Sequence, residues 1–398
     1  MQAYDLEQVR AALPALHDWT YLNTGTIGIM AEPVLQRHLA YITDHERFGH
    51  ATQQRAIDGY ERARTTLATL LNASPNDIAL NRNATDGINW IAASYPLAAG
   101  DEVLTSTEEH PAMIFPLLAA CARVGAHLRY MPLDTDPDRF RAAVIEHTNA
   151  RTRLVAISHV SCETGARVPV HIVRDVVGPE VAVLVDASQS VGQFAVDIPA
   201  LRADYVIGNG HKWLAGPKGT GFAWLHPQAI DRIRPMHYGD GTIDPPWSRA
   251  LYQVDVAPSL RYTQSAARFE HGTRAWHMYE ALADAIDYQA ALGWDAIFAH
   301  VRRMSDIAKG LLDELDGVTV ITPERWDDAS GIITFLVADD DVRQVSRALW
   351  DDWAITQRTV EVPGAIRVSC TYFTSEVDLL RLRDAVAAQL RSSPSSHR

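Results

Sequence analysis

The sequence predicts an α/β protein built on a mostly parallel sheet, followed by a smaller α+β layer. Three observations predict it. Seven short apolar runs rich in β-branched residues lie between positions 78 and 225. Helix-length connections separate most of them, as expected of parallel strands covered on both faces. Past Trp276 the rhythm changes to long helical patterns with a few strands between them.

The elements follow in order. The segment Asp5-Leu-Glu-Gln8 has the form of a capping box opening a short helix. A loop, YLNTGTIGIM, follows, broken by Gly25 and Gly28. Pro33 fits the first turn of a helix running towards Phe48, where its missing N–H costs nothing. A longer helical pattern covers about 53–71. The strand runs are 78–80, 102–105, 128–131, 154–158, 181–185, 205–207 and 221–225. No long helix separates the last two, so one antiparallel edge or insertion is expected. A long helix then fills 275–289, with further helix to about 315. Strands near 318–321 and 332–336, a helix near 342–351, a strand near 366–370 and a helix over 376–391 complete the chain. The expected organisation is an N-terminal segment 1–20 packing with the small domain, a large domain 21–275, a small domain 276–391 and a disordered tail, SSPSSHR, at 392–398.

Composition sets the bounds. A chain of 398 residues suggests two or three domains at ~150 residues each and buries a sizeable core. Hydrophobic residues at 47% and charged residues at 21% match an ordinary globular protein. The net charge of −13 repels phosphate backbones and anionic bilayers, so neither nucleic acid nor membrane is an expected partner. The uncharged stretch 111–122 is interrupted by Pro116 and falls far short of the ~20 residues a bilayer needs. The N-terminus carries acids and no apolar core, so no signal peptide is expected. Cys121, Cys162 and Cys370 have no paired spacing and form neither a disulfide framework nor a zinc signature. A reduced, cytoplasmic protein without a metal site is expected.

Ligands of open α/β sheets bind beyond the carboxyl ends of the strands. After 78–80 comes NRNATDG, where Asn83, Ala84 and Thr85 precede a helical run. Free N–H groups at a helix start plus a threonine hydroxyl make a phosphate cradle, although such residues also serve as plain N-caps. After 102–105 comes STEEHPAM. His110 stands there as a group that could stack on a planar ligand, or as a surface histidine before a proline turn. Asp186 follows 181–185 as an acid at the ligand edge, with an N-cap or a metal ligand as alternatives. Lys212 lies in GNGHKWLAGPKGTG, between an apolar strand and Trp213. A lysine is normally solvated, but desolvation there would lower its pKa and make the amine nucleophilic. An Asp and a Lys at two strand ends, 26 residues apart, suggest pyridoxal phosphate (PLP). The lysine would hold the aldehyde as a Schiff base. The aspartate would keep the pyridine nitrogen protonated, so that the ring accepts electrons from the substrate α-carbon.

These residues stand in longer matching segments: NATDGIN, GDEVLTSTEEHPA, VLVDASQSVGQ, GNGHKWLAGPKGTGF, FEHGTR and IRVSCTYF, in family order across 21–390. On them the chain resembles the class V aminotransferase family of fold-type I PLP-dependent enzymes. The branches it is most similar to are the isopenicillin N epimerase group and the cystine C–S lyase and cysteine desulfurase group. The resemblance implies a seven-stranded sheet in a large PLP-binding domain and a smaller α+β domain. It implies that Lys212 carries the Schiff base, Asp186 pairs with the ring nitrogen, Gln189 hydrogen-bonds the ring 3-oxygen and His110 stacks on the ring. Ala84, Thr85, His211 and Asn209 would hold the phosphate, although the family commonly has Ser or Thr where Asn209 stands. Thr273 would reach the phosphate of the neighbouring subunit, which makes the active unit a homodimer with shared sites. Arg367 in AIRVS matches the arginine that binds the substrate α-carboxylate, where a planar guanidinium suits bidentate binding; without the resemblance, a strand-edge ion pair would be its expected role. Arg358, nine residues earlier, would bind a second carboxylate, as in cystine lyase-like enzymes, or be solvated.

Two departures matter. Desulfurases of the family carry a reactive cysteine before the carboxylate-binding arginine, but QRTVEVPGAIR contains none. A persulfide-forming cysteine is therefore not expected. Cys162 stands where the desulfurase branch usually has asparagine, either touching the substrate side of the ring or as an inert buried thiol. The expected reaction is β-elimination from a sulfur amino acid, with Lys212 moving the α-proton. Epimerisation and transamination are the enzymatic alternatives. A catalytically silent PLP-binding homologue is the non-enzymatic one, opposed by the joint presence of Lys212, Asp186, His110 and Arg367.

Overall fold

The computed structural model describes residues 4–239, 241–244, 261–338, 341–361 and 364–392. Seven strands form one sheet: β1 (Ile78–Asn81), β2 (Glu102–Ser106), β3 (His127–Met131), β4 (Thr152–Ser158), β5 (Ala182–Asp186), β6 (Tyr205–Asn209) and β7 (Gly221–Leu225). Their order is β1-β7-β6-β5-β4-β2-β3. All pairs are parallel except those of β7 with β1 and β6. The antiparallel strand is thus an insertion second from the edge. The turns around Gly219, whose φ is +90°, send the chain straight back, so Gly221 pairs with Asn209.

Alternation along the strands splits the core in two. Val155, Ile157, Val183 and Val185 face one apolar cluster, while Leu154, Ala156, Ala182 and Leu184 face another. Helices cover both faces, so the sequence of these strands is apolar throughout instead of alternating. Each fully buried Val or Leu contributes roughly 1.5–3 kcal/mol. Two predicted boundaries move. Asp186 and Asn209 are the last residues of β5 and β6, held by ladder pairing instead of lying in the following loops.

The second sheet contains β8 (Val318–Val320), β9 (Ile332–Val337), β10 (Arg358–Val360) and β11 (Ala365–Ser369), antiparallel in the order β10-β11-β9-β8. Helices Trp294–Asp313, Val342–Asp351 and Glu376–Ser392 bury Ile333, Phe335, Ile366, Val368, Leu379 and Leu382 with it. β10 was not expected, because three residues are too few to show a period. The N-terminal helix Leu6–Ala11 is capped by Asp5, which accepts from the N–H groups of Glu7 and Gln8. This segment lies on C-terminal elements: Arg10 donates to Asp378 at 2.6 Å and to the Phe373 carbonyl at 2.7 Å. Thr20–Tyr21 pairs in parallel with Ile355–Thr356. Among the described residues no helix is long and apolar enough to cross a membrane. Of the tail expected at 392–398, Ser392 ends the last helix, and 393–398 lie outside the described residues.

Candidate active site

The carboxyl ends of β1, β4, β5 and β6 open on one cavity of about 260 Å³. Ala84, Thr85, His110, Cys162, Asp186, Gln189, Asn209, His211, Lys212, Arg358 and Arg367 all line it. Of the predicted residues only Thr273 is elsewhere, exposed in the turn before helix Trp276–Leu292.

Asp186 is 7% exposed, and its Oδ1 accepts from the Ser188 N–H at 2.8 Å. Lys212 follows β6 in a bend. Burial lowers its pKa, Asp186 opposes that shift, and Arg367 and Arg358 add to it. The loop carrying Gly28 passes against this lysine. The Gly28 N–H donates to the His211 carbonyl at 2.8 Å, and a Cβ on Gly28 would stand 2.1 Å from the Lys212 carbonyl oxygen. Only glycine allows that approach.

His110 caps helix Pro111–Val124, its Nδ1 accepting from the Ala112 N–H at 3.1 Å. Burial first, and then Lys212, lower its pKa. The ring is therefore neutral, with its proton on Nε2. At the opposite end, helix Ala84–Ser94 begins under its Asn83 cap. Asn209 Oδ1 accepts from the Ala84 N–H at 2.9 Å, and one N–H of its amide donates to Ser188 Oγ at 2.9 Å, leaving the other. Asn209 thereby occupies the Ala84 N–H. Thr85 is exposed at the wall, and the buried Nδ1 of His211 has no hydrogen-bond partner. Gln189 spends Oε1 on the Trp213 indole N–H (2.9 Å) and one amide N–H on the Gly25 carbonyl (2.8 Å), leaving the other N–H.

The cations gather on the second sheet. Arg367 is 1% exposed. It donates to the Cys162 carbonyl at 2.7 Å and to Thr26 Oγ1 at 2.8 Å, and its Nε is buried without a partner. Burial, aided by Arg358, pulls its pKa down to about 10. Arg358 faces it across the β10–β11 ladder. Like charges directly opposite repel, and among the described residues neither arginine has an ion pair with a carboxylate. The Cys162 thiol is pushed up to about 12 by burial and then Glu163, so it keeps its proton.

Sequence reasoning missed Glu109. Its carboxylate is buried, accepting from Ser106 Oγ at 2.6 Å, from the Ser158 N–H at 2.9 Å and from Ser158 Oγ. Burial pushes it up to about 7. The only signal was the doubled acid in EEHPA, which does not say which glutamate turns inward.

A model of the family described as Aminotransferase class-V matches residues 22–382. Isopenicillin N epimerase of Streptomyces clavuligerus is 31% identical over 337 residues, 82% of this chain and 83% of that one. A cysteine desulfurase of Enterobacter sp. (strain 638) is 30% identical over 408 residues, 95% of this chain and 97% of that one. Among solved structures, the cystine C–S lyase C-DES with its reaction product cysteine persulfide aligns at a TM-score of 0.85 and 27% identity, covering 94% of this chain and 99% of that one. In a lysine-to-alanine variant of C-DES, glycine is covalently linked to the PLP cofactor (TM-score 0.86, 27% identity, 95% of this chain and 98% of that one). With a match running from just after Thr20–Tyr21 into the last helix, over a cavity placed at the strand ends, the chain belongs to the aminotransferase class-V family.

Proposed function

We propose that the chain is a PLP-dependent enzyme that acts at the α-carbon of an amino acid and cleaves the C–S bond of a sulfur amino acid by β-elimination. The observation that carries this is Arg367: a buried guanidinium with no carboxylate ion pair among the described residues, in the same cavity as a desolvated lysine and a buried aspartate. The donor set fits the cofactor. Lys212 offers an amine whose pKa burial lowers, Asp186 an acid, and His211 a buried nitrogen that lacks a partner. When bound, PLP supplies an aldehyde for amine capture and a ring that accepts the electron pair of the α-carbon.

The chain's own residues do the rest. Lys212 would hold the cofactor through its amine, and the same amine would carry the substrate α-proton. Asp186 keeps a proton on the ring nitrogen, and the neutral His110 stacks on the ring. Thr85 and His211 take the phosphate, with Asn209 setting the Ala84 helix start beneath it. The remaining Gln189 N–H would donate to the ring 3-oxygen. Arg367 grips the α-carboxylate and Arg358 a distal one, which suits a doubly carboxylated substrate such as cystine. The likeness to a cystine C–S lyase and to cysteine desulfurases supports this chemistry. The lack of a cysteine over 357–367 keeps persulfide transfer to an enzyme thiol out of it. The same proposal includes a PLP-binding domain over 21–275, a clamp domain over 276–391 to which residues 1–20 belong, a homodimer in which Thr273 completes the neighbouring site, and a cytoplasmic location in keeping with three free, buried cysteines.

Epimerisation is the second reading. Cys162 favours it, as a further proton-bearing group on the same cavity, and so does the likeness to isopenicillin N epimerase. Incubating the PLP-loaded protein with L-cystine, L-cysteine and other amino acids decides between them. Pyruvate together with released sulfur species is expected, and is lost in Lys212→Ala. Inverted chirality without pyruvate selects epimerisation. Turnover retained in Lys212→Ala overturns both.

A further inference from the structure

The segment after β4 divides two cavities. Ser158, Val160 and Cys162 line the one already described, while His159 lines a second, of about 570 Å³. That volume lies in the range of small-molecule sites. Two of its side chains carry polar atoms that the protein leaves unused. His159 is 9% exposed, and its buried Nδ1 has no hydrogen-bond partner. The Arg167 guanidinium lies 3.7 Å from the centre of the Phe194 ring and donates through Nε to the Ala329 carbonyl at 3.1 Å, yet its buried Nη2 is also without a partner. Asp327 and Asp328 pair with Arg325 instead, and among the described residues no carboxylate forms an ion pair with Arg167. Arg167 is half-buried, and a buried guanidinium N–H left without an acceptor is costly unless a ligand completes it. His171 adds a base at the exposed rim, and Val168, Val170 and Leu201 make an apolar wall.

We propose that this second cavity binds a small organic carboxylate, its head group on Arg167 and His159 and its apolar body on Val168, Val170 and Leu201. The guanidinium fork matches a carboxylate in two hydrogen bonds. Asp136, Asp327 and Asp328 also line the cavity and are offset by Arg139 and Arg325, so the apolar wall, which a phosphate would leave unused, selects the organic carboxylate. The His159 N–H donates to the Asp186 carbonyl at 2.9 Å, so the occupant touches the residue that holds the backbone of the active-site acid. The proposal does not depend on which reaction the first cavity performs.

Isovalerate and, separately, inorganic phosphate serve as probes, titrated by calorimetry and saturation-transfer NMR into the PLP-loaded full chain. An Arg367→Gln background removes the carboxylate grip proposed for the first cavity. Isovalerate is expected to bind at one site per chain, and to bind at least about tenfold more weakly when Arg167→Gln is added. His171→Glu, an exposed change that leaves the packing intact, is expected to weaken it as well and decides the matter alone if Arg167→Gln fails to fold. Absence of isovalerate binding, or binding indifferent to the substitutions, overturns the proposal. Phosphate binding tighter than isovalerate overturns the carboxylate class.

Discussion

Glu109 places a carboxyl among hydroxyls and a backbone N–H inside the sheet, and burial raises its pKa from the ordinary 4.5 to about 7. Between those values the folded chain binds a proton that the unfolded chain has released. Stability linked to Glu109 is therefore fully present below about 4.5 and is lost as pH rises through about 7, a change on the order of 3 kcal/mol. Glu109→Gln is expected to flatten the slope of unfolding free energy over that window, measured by urea denaturation at a series of pH values. An unchanged slope places the titration elsewhere. The arginines give a second test at this scale. Arg367→Lys keeps the charge but loses the fork, and is expected to lower kcat/KM by at least ~30-fold for every amino-acid substrate. Arg358→Ala is expected to impair substrates with two carboxylates and spare those with one. Equal losses across both groups in steady-state assays remove the distal-carboxylate role.

Arg64 shows how elements are held in place around the site. It projects from helix Gln53–Leu70 and donates to both oxygens of Glu270, at 2.7 and 3.0 Å, and to the Ile78 carbonyl. Glu270 Oε1 also accepts from the Leu80 N–H at 2.7 Å. One buried ion pair thus ties a helix to β1 and to the segment that leads to Thr273. Arg64→Met leaves Glu270 with the Leu80 N–H and the more distant Arg274, 3.6 Å away, and is expected to cost ~3 kcal/mol. The double change Arg64→Met with Glu270→Leu is expected to recover part of that loss, read from denaturation midpoints. If the double variant is no more stable than the single one, the cost lies in packing and not in the poorly paired charge.

For the whole molecule, the single chain supplies every proposed cofactor contact except Thr273, which is exposed and outside its own cavity. A dimer of the 44.0 kDa chain is therefore expected in sedimentation. Inactive Lys212→Ala and Thr273→Asp proteins, mixed under exchange, are expected to regain part of the activity, because one site of each hybrid has both intact residues. No recovery in hybrids of verified composition rejects the shared site.

The sequence by itself determined the inner strands of the large sheet, because strands buried on both faces read as continuous apolar runs; the edge strand β3 is exposed along most of its length. It also determined the candidate residues, because strand ends are where an open sheet binds ligands. The Asp186 and Lys212 strand ends were legible for that reason, as were Thr85 and His110 at helix starts. The tertiary structure decided what spacing does not encode. It set Arg358 opposite Arg367, since β10 is too short to show a period and its register depends on a partner strand. It turned Asn209 onto the Ala84 N–H, and it chose Glu109 over Glu108 for the interior. It also placed β7 inside the sheet instead of at its edge. In each case the deciding contact joins residues far apart in the chain, and only packing sets the distance between them.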